Sequence, residues 1–248
     1  MKHEKAQNEE INALQGQIAI LNEKLAGDSE AMKFTASVDD GFDYLAIGNS
    51  ITLHPITDFW WGEWGMAAST PELDYYHLVT EDLENQYGSV NSARYNYYVW
   101  EIQAHDRTET YDFLDNWIVD GIDLITVQLS ENASDLSTFH ADFESLLRHI
   151  QEKCPSAEIV VIDDFWSDEK SRMKKSVCEN MNISFADLSD IRGKSEYQAG
   201  METKVHGTDG EEHIIEHSGV AAHPGDEGMR YIAEKVIEEI DMKQKQKA

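Results

Sequence analysis

Short apolar runs alternate with amphipathic stretches between about residue 42 and residue 240, and this alternation limits the fold more than any other feature of the chain. Residues 42–47, 89–95, 122–129, 157–162 and 183–188 have the length and apolar character of strands. The run Ile122-Asp123-Leu124-Ile125-Thr126-Val127-Gln128-Leu129 is rich in the β-branched residues that strands favour. Helical spacing fills the intervals 71–87, 111–117, 136–150, 168–181 and 227–240. The last of these places Met229, Ile232, Ala233, Val236, Ile237 and Ile240 on one stripe. Strands alternating with helices imply a parallel sheet covered on both faces. The expectation is a three-layer α/β/α sandwich of about five parallel strands.

The chain has 248 residues, enough for one sizeable core. Hydrophobic residues make up 41 %, so residues 42–242 read as one folded domain. The formal net charge of −28 repels phosphate backbones and anionic lipid, which argues against nucleic acid or a charged membrane as partner. No apolar run reaches the roughly 20 residues that span a bilayer. Met1-Lys2-His3-Glu4-Lys5 does not open an export signal. Cys154 and Cys178 lack metal-ligand spacing and read as two buried thiols, with pairing open in an oxidising compartment.

Ahead of the domain, Ile11, Leu14, Ile18, Leu21 and Leu25 recur at alternating steps of three and four. This is a coiled-coil seam over residues 8–26, short of three heptads. Residues 1–27 are expected to form a stalk or oligomerisation helix, with 28–41 as linker. The Lys/Gln tail at 243–248 is expected to fray.

Three strand ends carry polar residues that a buried strand does not need: Gly48-Asn49-Ser50, then Ser130-Glu131-Asn132 after Val127-Gln128-Leu129, and His223-Pro224-Gly225 before the last helix. In a parallel sheet such ends converge on one rim. A serine, an asparagine and a histidine brought together there form an acyl-transfer set: hydroxyl nucleophile, base, and amide donor to an oxyanion.

In these blocks the sequence resembles the SGNH hydrolases, the GDSL esterase and lipase superfamily, over residues 42–240. Gly48-Asn49-Ser50-Ile51-Thr52 is similar to the first block, with asparagine where aspartate is commonest. Ser130-Glu131-Asn132 is similar to the third, with serine for glycine, and His223-Pro224 to the fifth. The resemblance implies Ser50 as nucleophile, His223 as general base, and the Ser50 N–H and Asn132 amide as oxyanion donors. It implies no cofactor and no metal. The second block's glycine is missing from Ala93-Arg94-Tyr95-Asn96-Tyr97-Tyr98, where the Asn96 N–H is the stand-in. The aspartate usual three residues before the histidine is Val220 here. A Ser–His dyad with a backbone carbonyl holding the ring, or an acid from elsewhere, are the two ways to orient His223. Asp226 and Glu131 lie within the motif blocks, and neither is selected.

Phe59-Trp60-Trp61-Gly62-Glu63-Trp64 follows the serine closely, so Trp61 and Trp64, joined by Trp166, are expected either to wall a sugar or acyl site or to cap the core. Residues 204–215 read as a hairpin turning at Asp209-Gly210. Its His206 and His213, with His217, read as surface histidines rather than metal ligands. The reading is a serine esterase acting on a small acyl group, acetyl above others, on a carbohydrate. An O-acyltransferase using the same residues and a non-catalytic glycan-binding module are the alternatives. A bacterial surface or secreted location is favoured over a cytoplasmic one. Residues 8–26 offer a route to a homo-oligomer.

Overall fold

A computed structural model describes residues 33–37, 41–103 and 106–247, with side chains placed as far as residue 241. The heptad seam at 8–26 lies outside the described residues. Five strands, β1 (Phe42–Gly48), β2 (Val90–Asn96), β3 (Leu124–Gln128), β4 (Glu158–Ile162) and β5 (Ser184–Ala186), form one sheet in the order β2-β1-β3-β4-β5. Every pairing in it is parallel: Gly48 lies opposite both Asn96 and Gln128, and Val127 opposite Val161. The expected α/β architecture is therefore present, with β1 and β3 at its centre.

Alternate residues of each strand enter different cores. Tyr44 and Ala46 of β1 with Val160 and Ile162 of β4 face α1 (Tyr75–Tyr87) and the last helix. Leu45, Ile47, Ile125, Val127 and Val161 face the opposite way. There they meet Phe139, Phe143, Leu146 and Leu147 of the Phe139–Lys153 helix and Val177 of the Asp168–Met181 helix. Between β2 and β3 the chain forms a short helix α2 (Tyr98–Ile102) and a single turn α3 (Tyr111–Leu114). Phe139–Lys153 and Asp168–Met181 are thus α4 and α5. Ser218–Ala221 is α6, and Asp226–Lys247 is α7.

The differences from the sequence reading have local causes. Residues 71–73 are a 3₁₀ turn, and α1 starts only at Tyr75, where the Asp74 carboxylate accepts the His77 N–H. The stretch expected to be one helix at 111–117 is helical only to Leu114, after a 3₁₀ turn at Arg107–Thr110. The short α2 and α6 lack a full apolar period and go unread. Part of the expected linker is not free: Phe34 is buried against the sheet, and the Ser37 N–H donates to Asp43. α7 is helical as far as Lys247. The hairpin forms as read, from β6 (Lys204–His206) and β7 (Glu212–Ile214), with Gly210 at φ +81°. Cys154 and Cys178 are buried free thiols, and burial raises both pKa values, to about 11 and about 12.

Candidate active site

The carboxyl end of β1 is shaped by a close approach. A Cβ at Gly48 would overlap the Thr52 hydroxyl and crowd the Gln128 carbonyl, so only glycine lets the chain fold back here. Asn49 then organises the turn. Its side-chain carbonyl accepts the Ile51 N–H at 3.1 Å, and its backbone carbonyl accepts those of Thr52 and Leu53. These bonds use the N–H groups of Ile51, Thr52 and Leu53 and not that of Ser50.

Ser50 Oγ lies 2.9 Å from His223 Nε2. The second imidazole nitrogen, Nδ1, is 2.7 Å from the Gly219 carbonyl oxygen. A carbonyl only accepts, so Nδ1 carries the proton and Nε2 is the acceptor for the serine hydroxyl. Gly219 belongs to α6, whose turn is closed by His223 N–H donating to Val220 O. The far side of the histidine is fixed by Ala199 N–H donating to His223 O at 3.0 Å. The Trp166 ring stands edge-on to the imidazole at 5.1 Å, and its Nε1–H donates to Ala222 O. Burial lowers the His223 pKa from 6.5 to about 4; the Gly219 bond opposes the shift, and His54 and His217 add to it. The ring is therefore a neutral base at pH 7.

The two acids of these blocks, Asp226 and Glu131, are engaged elsewhere. Asp226 accepts the Ser69 N–H and hydroxyl, and Glu131 accepts from Asn49 and from the Phe165 N–H. Val220 is buried in the core beneath. Of the two arrangements expected for the ring, the backbone carbonyl is the one present.

The third strand end is built around a buried acid. Glu101, on α2, accepts Asn132 Nδ2–H at 2.7 Å, Asn49 Nδ2–H at 3.0 Å, and the N–H groups of Ser130 and Asn132 at 2.6 and 3.3 Å. One amide hydrogen of Asn132 is thereby committed, and the other is left for a ligand in the cavity that Asn132 lines. Ser130 stands where the resemblance implies glycine, and it adopts φ +143°, a region that non-glycine residues enter at a cost of about 1–3 kcal/mol. Its hydroxyl donates to Asp164 at 2.7 Å and accepts from buried Lys174, whose ammonium also binds the Leu129 and Ile162 carbonyls. These bonds hold the strained residue in place. Burial raises the pKa of Glu101; it raises that of Glu131 to about 8, with Asp164 adding to the shift and Lys174 opposing it.

Ser50, His223, Asn132 and Asn96 all line one cavity of about 790 Å³. Asn96 spends its side chain within the turn, donating to Leu53 O and accepting from the Tyr98 N–H. Of the two roles expected for the tryptophans, Trp64 has the core one. Trp64 is buried in the core with its Nε1–H on Ala68 O, and Trp61 stacks on His213 of the hairpin at 4.5 Å; neither lines the cavity. The aromatic lining comes instead from Phe59, Tyr95, Tyr98 and Trp117, with Trp117 stacked on Tyr95 at 4.8 Å. A helical-face pattern points such residues only when the helix is known, and α2 is too short to show one. Glu101 carries a signal of its own in the sequence, as a charged residue directly after Tyr97-Tyr98-Val99-Trp100: an acid beside aromatics is either exposed or held by donors. Among the described residues, no group of three or more His, Cys, Asp or Glu is arranged to hold a metal ion. No described helix is long and apolar enough to cross a membrane.

No protein-family model and no curated protein matches the chain in sequence. Solved structures match its fold. A two-domain esterase active on acetylated mannans, crystallised with mannopentaose, superposes with a TM-score of 0.51 at 15 % identity, covering 82 % of this chain and 49 % of that one. A phospholipase A1 from Streptomyces albidoflavus gives 0.50 at 12 % identity over 80 % of this chain and 99 % of that one. A GDSL-like lipase from Bacteroides uniformis gives 0.50 at 16 % identity over 82 % and 97 %. The chain spans about half the length of the two-domain esterase. The fold is that of the SGNH, GDSL-like hydrolases.

Proposed function

We propose that the protein is a serine ester hydrolase, in which Ser50 is the nucleophile and His223 the general base. The observation that carries this reading is the 2.9 Å contact between Ser50 Oγ and His223 Nε2, with the ring's tautomer set by Gly219 O. Ser50 Oγ attacks the ester carbonyl carbon as its proton passes to Nε2. The resulting oxyanion takes hydrogen bonds from the Ser50 N–H and the Asn132 amide, with the Asn96 N–H as a third donor. Collapse expels the alcohol, which takes the proton from His223. Water then gives a proton to Nε2 and attacks the acyl-serine, and collapse releases the acid as Ser50 Oγ takes that proton back from His223. Transfer to a sugar hydroxyl instead of water uses the same residues.

The acyl group proposed from the sequence is acetyl on a carbohydrate, and the esterase of similar fold that is active on acetylated mannans supports it. The cavity favours a second reading, a larger apolar acyl group. At about 790 Å³ it far exceeds what an acetyl group fills, and Leu53, Met66, Tyr95, Val99, Trp117 and Val220 give it apolar walls. Several of its polar groups are already engaged: His54 Nδ1 with Pro55 O, Arg94 with Glu63 O and Asp74, and the Asn96 side chain as above. The test is a series of p-nitrophenyl esters from acetate to decanoate with wild type and Ser50→Ala. Wild-type turnover that falls at least 10³-fold in the variant is expected. Equal turnover by both removes the hydrolase reading. The chain length with the highest kcat/KM decides between the two acyl classes.

A further inference from the structure

We infer that Glu101 is a positioning residue for the oxyanion hole, acting through Asn132; the inference rests on the hydrolase reading above. Three observations converge. Glu101 is essentially solvent-free, at 1 % exposure, so its carboxylate carries the cost of desolvation and must be matched by donors. Four donors meet it, and they belong to the two strand ends that carry the chemistry: Asn49 next to Ser50, and the Ser130–Asn132 turn. Both oxygens are used, Oε1 by Asn49 and the two backbone N–H groups and Oε2 by the Asn132 amide, which fixes the carboxylate plane as well as its position.

The geometry gives Glu101 a role that a neutral isostere cannot fill. An amide in its place would present an NH₂ to one of the donors it now accepts. Set against Asn132 Nδ2 at 2.7 Å, two donors would face each other and the Asn132 side chain would turn away. An asparagine at the cavity edge has no other restraint on its amide among the described residues. An oxyanion donor is worth most when its direction is set before the charge develops. Glu101 also ties the Asn132 amide to Asn49, so the donor and the nucleophile's turn share one anchor.

The experiment compares wild type, Glu101→Gln, Glu101→Asp, Asn132→Ala and the Glu101→Gln/Asn132→Ala double variant with one p-nitrophenyl ester. Thermal unfolding serves as the folding control. Expected for Glu101→Gln is a fall in kcat of about 10²-fold with KM within threefold, as for loss of one oxyanion donor. Glu101→Asp, which keeps a carboxylate, should recover at least tenfold of that loss. It also replaces Glu101→Gln if the latter does not fold. The double variant should be no slower than Asn132→Ala, because the oxyanion donor that Glu101 orients is already gone. Losses that multiply in the double variant, or Glu101→Gln within threefold of wild type, overturn the inference. The side-chain amide resonances of Asn132 in ¹⁵N-labelled protein give a readout without turnover. The proton bound to Glu101 should move upfield in Glu101→Gln, and an unmoved signal overturns the inference. If wild type hydrolyses no ester, the hydrolase reading fails while the amide signal still decides whether Glu101 holds Asn132.

Discussion

At the scale of single residues, the proposed site holds two titratable groups, His223 and Glu131, that burial shifts in opposite directions. The depressed His223 pKa keeps the base neutral far into the acid range. The kcat/KM profile should therefore stay flat from neutrality to about pH 5 and reach half its plateau near pH 4. A half-point near 6.5 would show that the histidine is not desolvated as described. The same shift bears on stability. The unfolded chain binds this proton more readily than the folded one, so folding weakens as pH falls from about 6.5 toward 4. Glu131 shifts the other way. It shares the Asn49 amide with Glu101 and is protonated below about pH 8. Its ionisation above that pH places added negative charge behind the oxyanion hole. An alkaline decline in kcat/KM is expected, and Glu131→Gln should abolish it. What the sequence disclosed at this scale was the identity of the polar residues at the strand ends. It did not disclose their partners, because Glu101 and Gly219 reach the site from short helices with no periodicity of their own.

At the scale of elements, the strands and long helices were legible because burial imposes a period on them. β3 is buried at all five positions and reads as a strand through Ile125, Thr126 and Val127, while α4 and α7 show clean stripes. The edge strand β2 is half-exposed and reads weakly. Trp64 shows the limit of pattern: three tryptophans near a serine look alike in sequence, and tertiary packing alone sends one to the core, one to the hairpin and one against Trp64 itself. The role of α4 can be measured. Phe143 is fully buried between Phe139 and Trp100, with ring separations of 5.7 and 6.0 Å. Phe143→Ala should cost about 3–5 kcal/mol through lost burial and the cavity left behind. Urea unfolding would check it, and a loss under about 1 kcal/mol would mean that the helix repacks.

At the scale of the whole molecule, charge and topology matter most. A net charge of −28 means that the folded chain repels itself, and this repulsion is screened over about 10 Å at 0.1 M salt. Raising NaCl from about 20 mM to about 500 mM should raise the melting temperature by several degrees; a flat or falling response would show that local ion pairs outweigh the net charge. Topology has a consequence of another kind. Ser50 and His223 are 173 positions apart, at opposite ends of the domain, and His223 is held by contacts to Gly219, Ala199 and Trp166 that form late along the chain. A ribosome making this domain exposes Ser50 well before it delivers His223, 173 positions later. Over that interval the nascent domain carries Ser50 without its partner, and on the hydrolase reading proposed above ester cleavage becomes a report that the chain has emerged at least as far as His223 and closed.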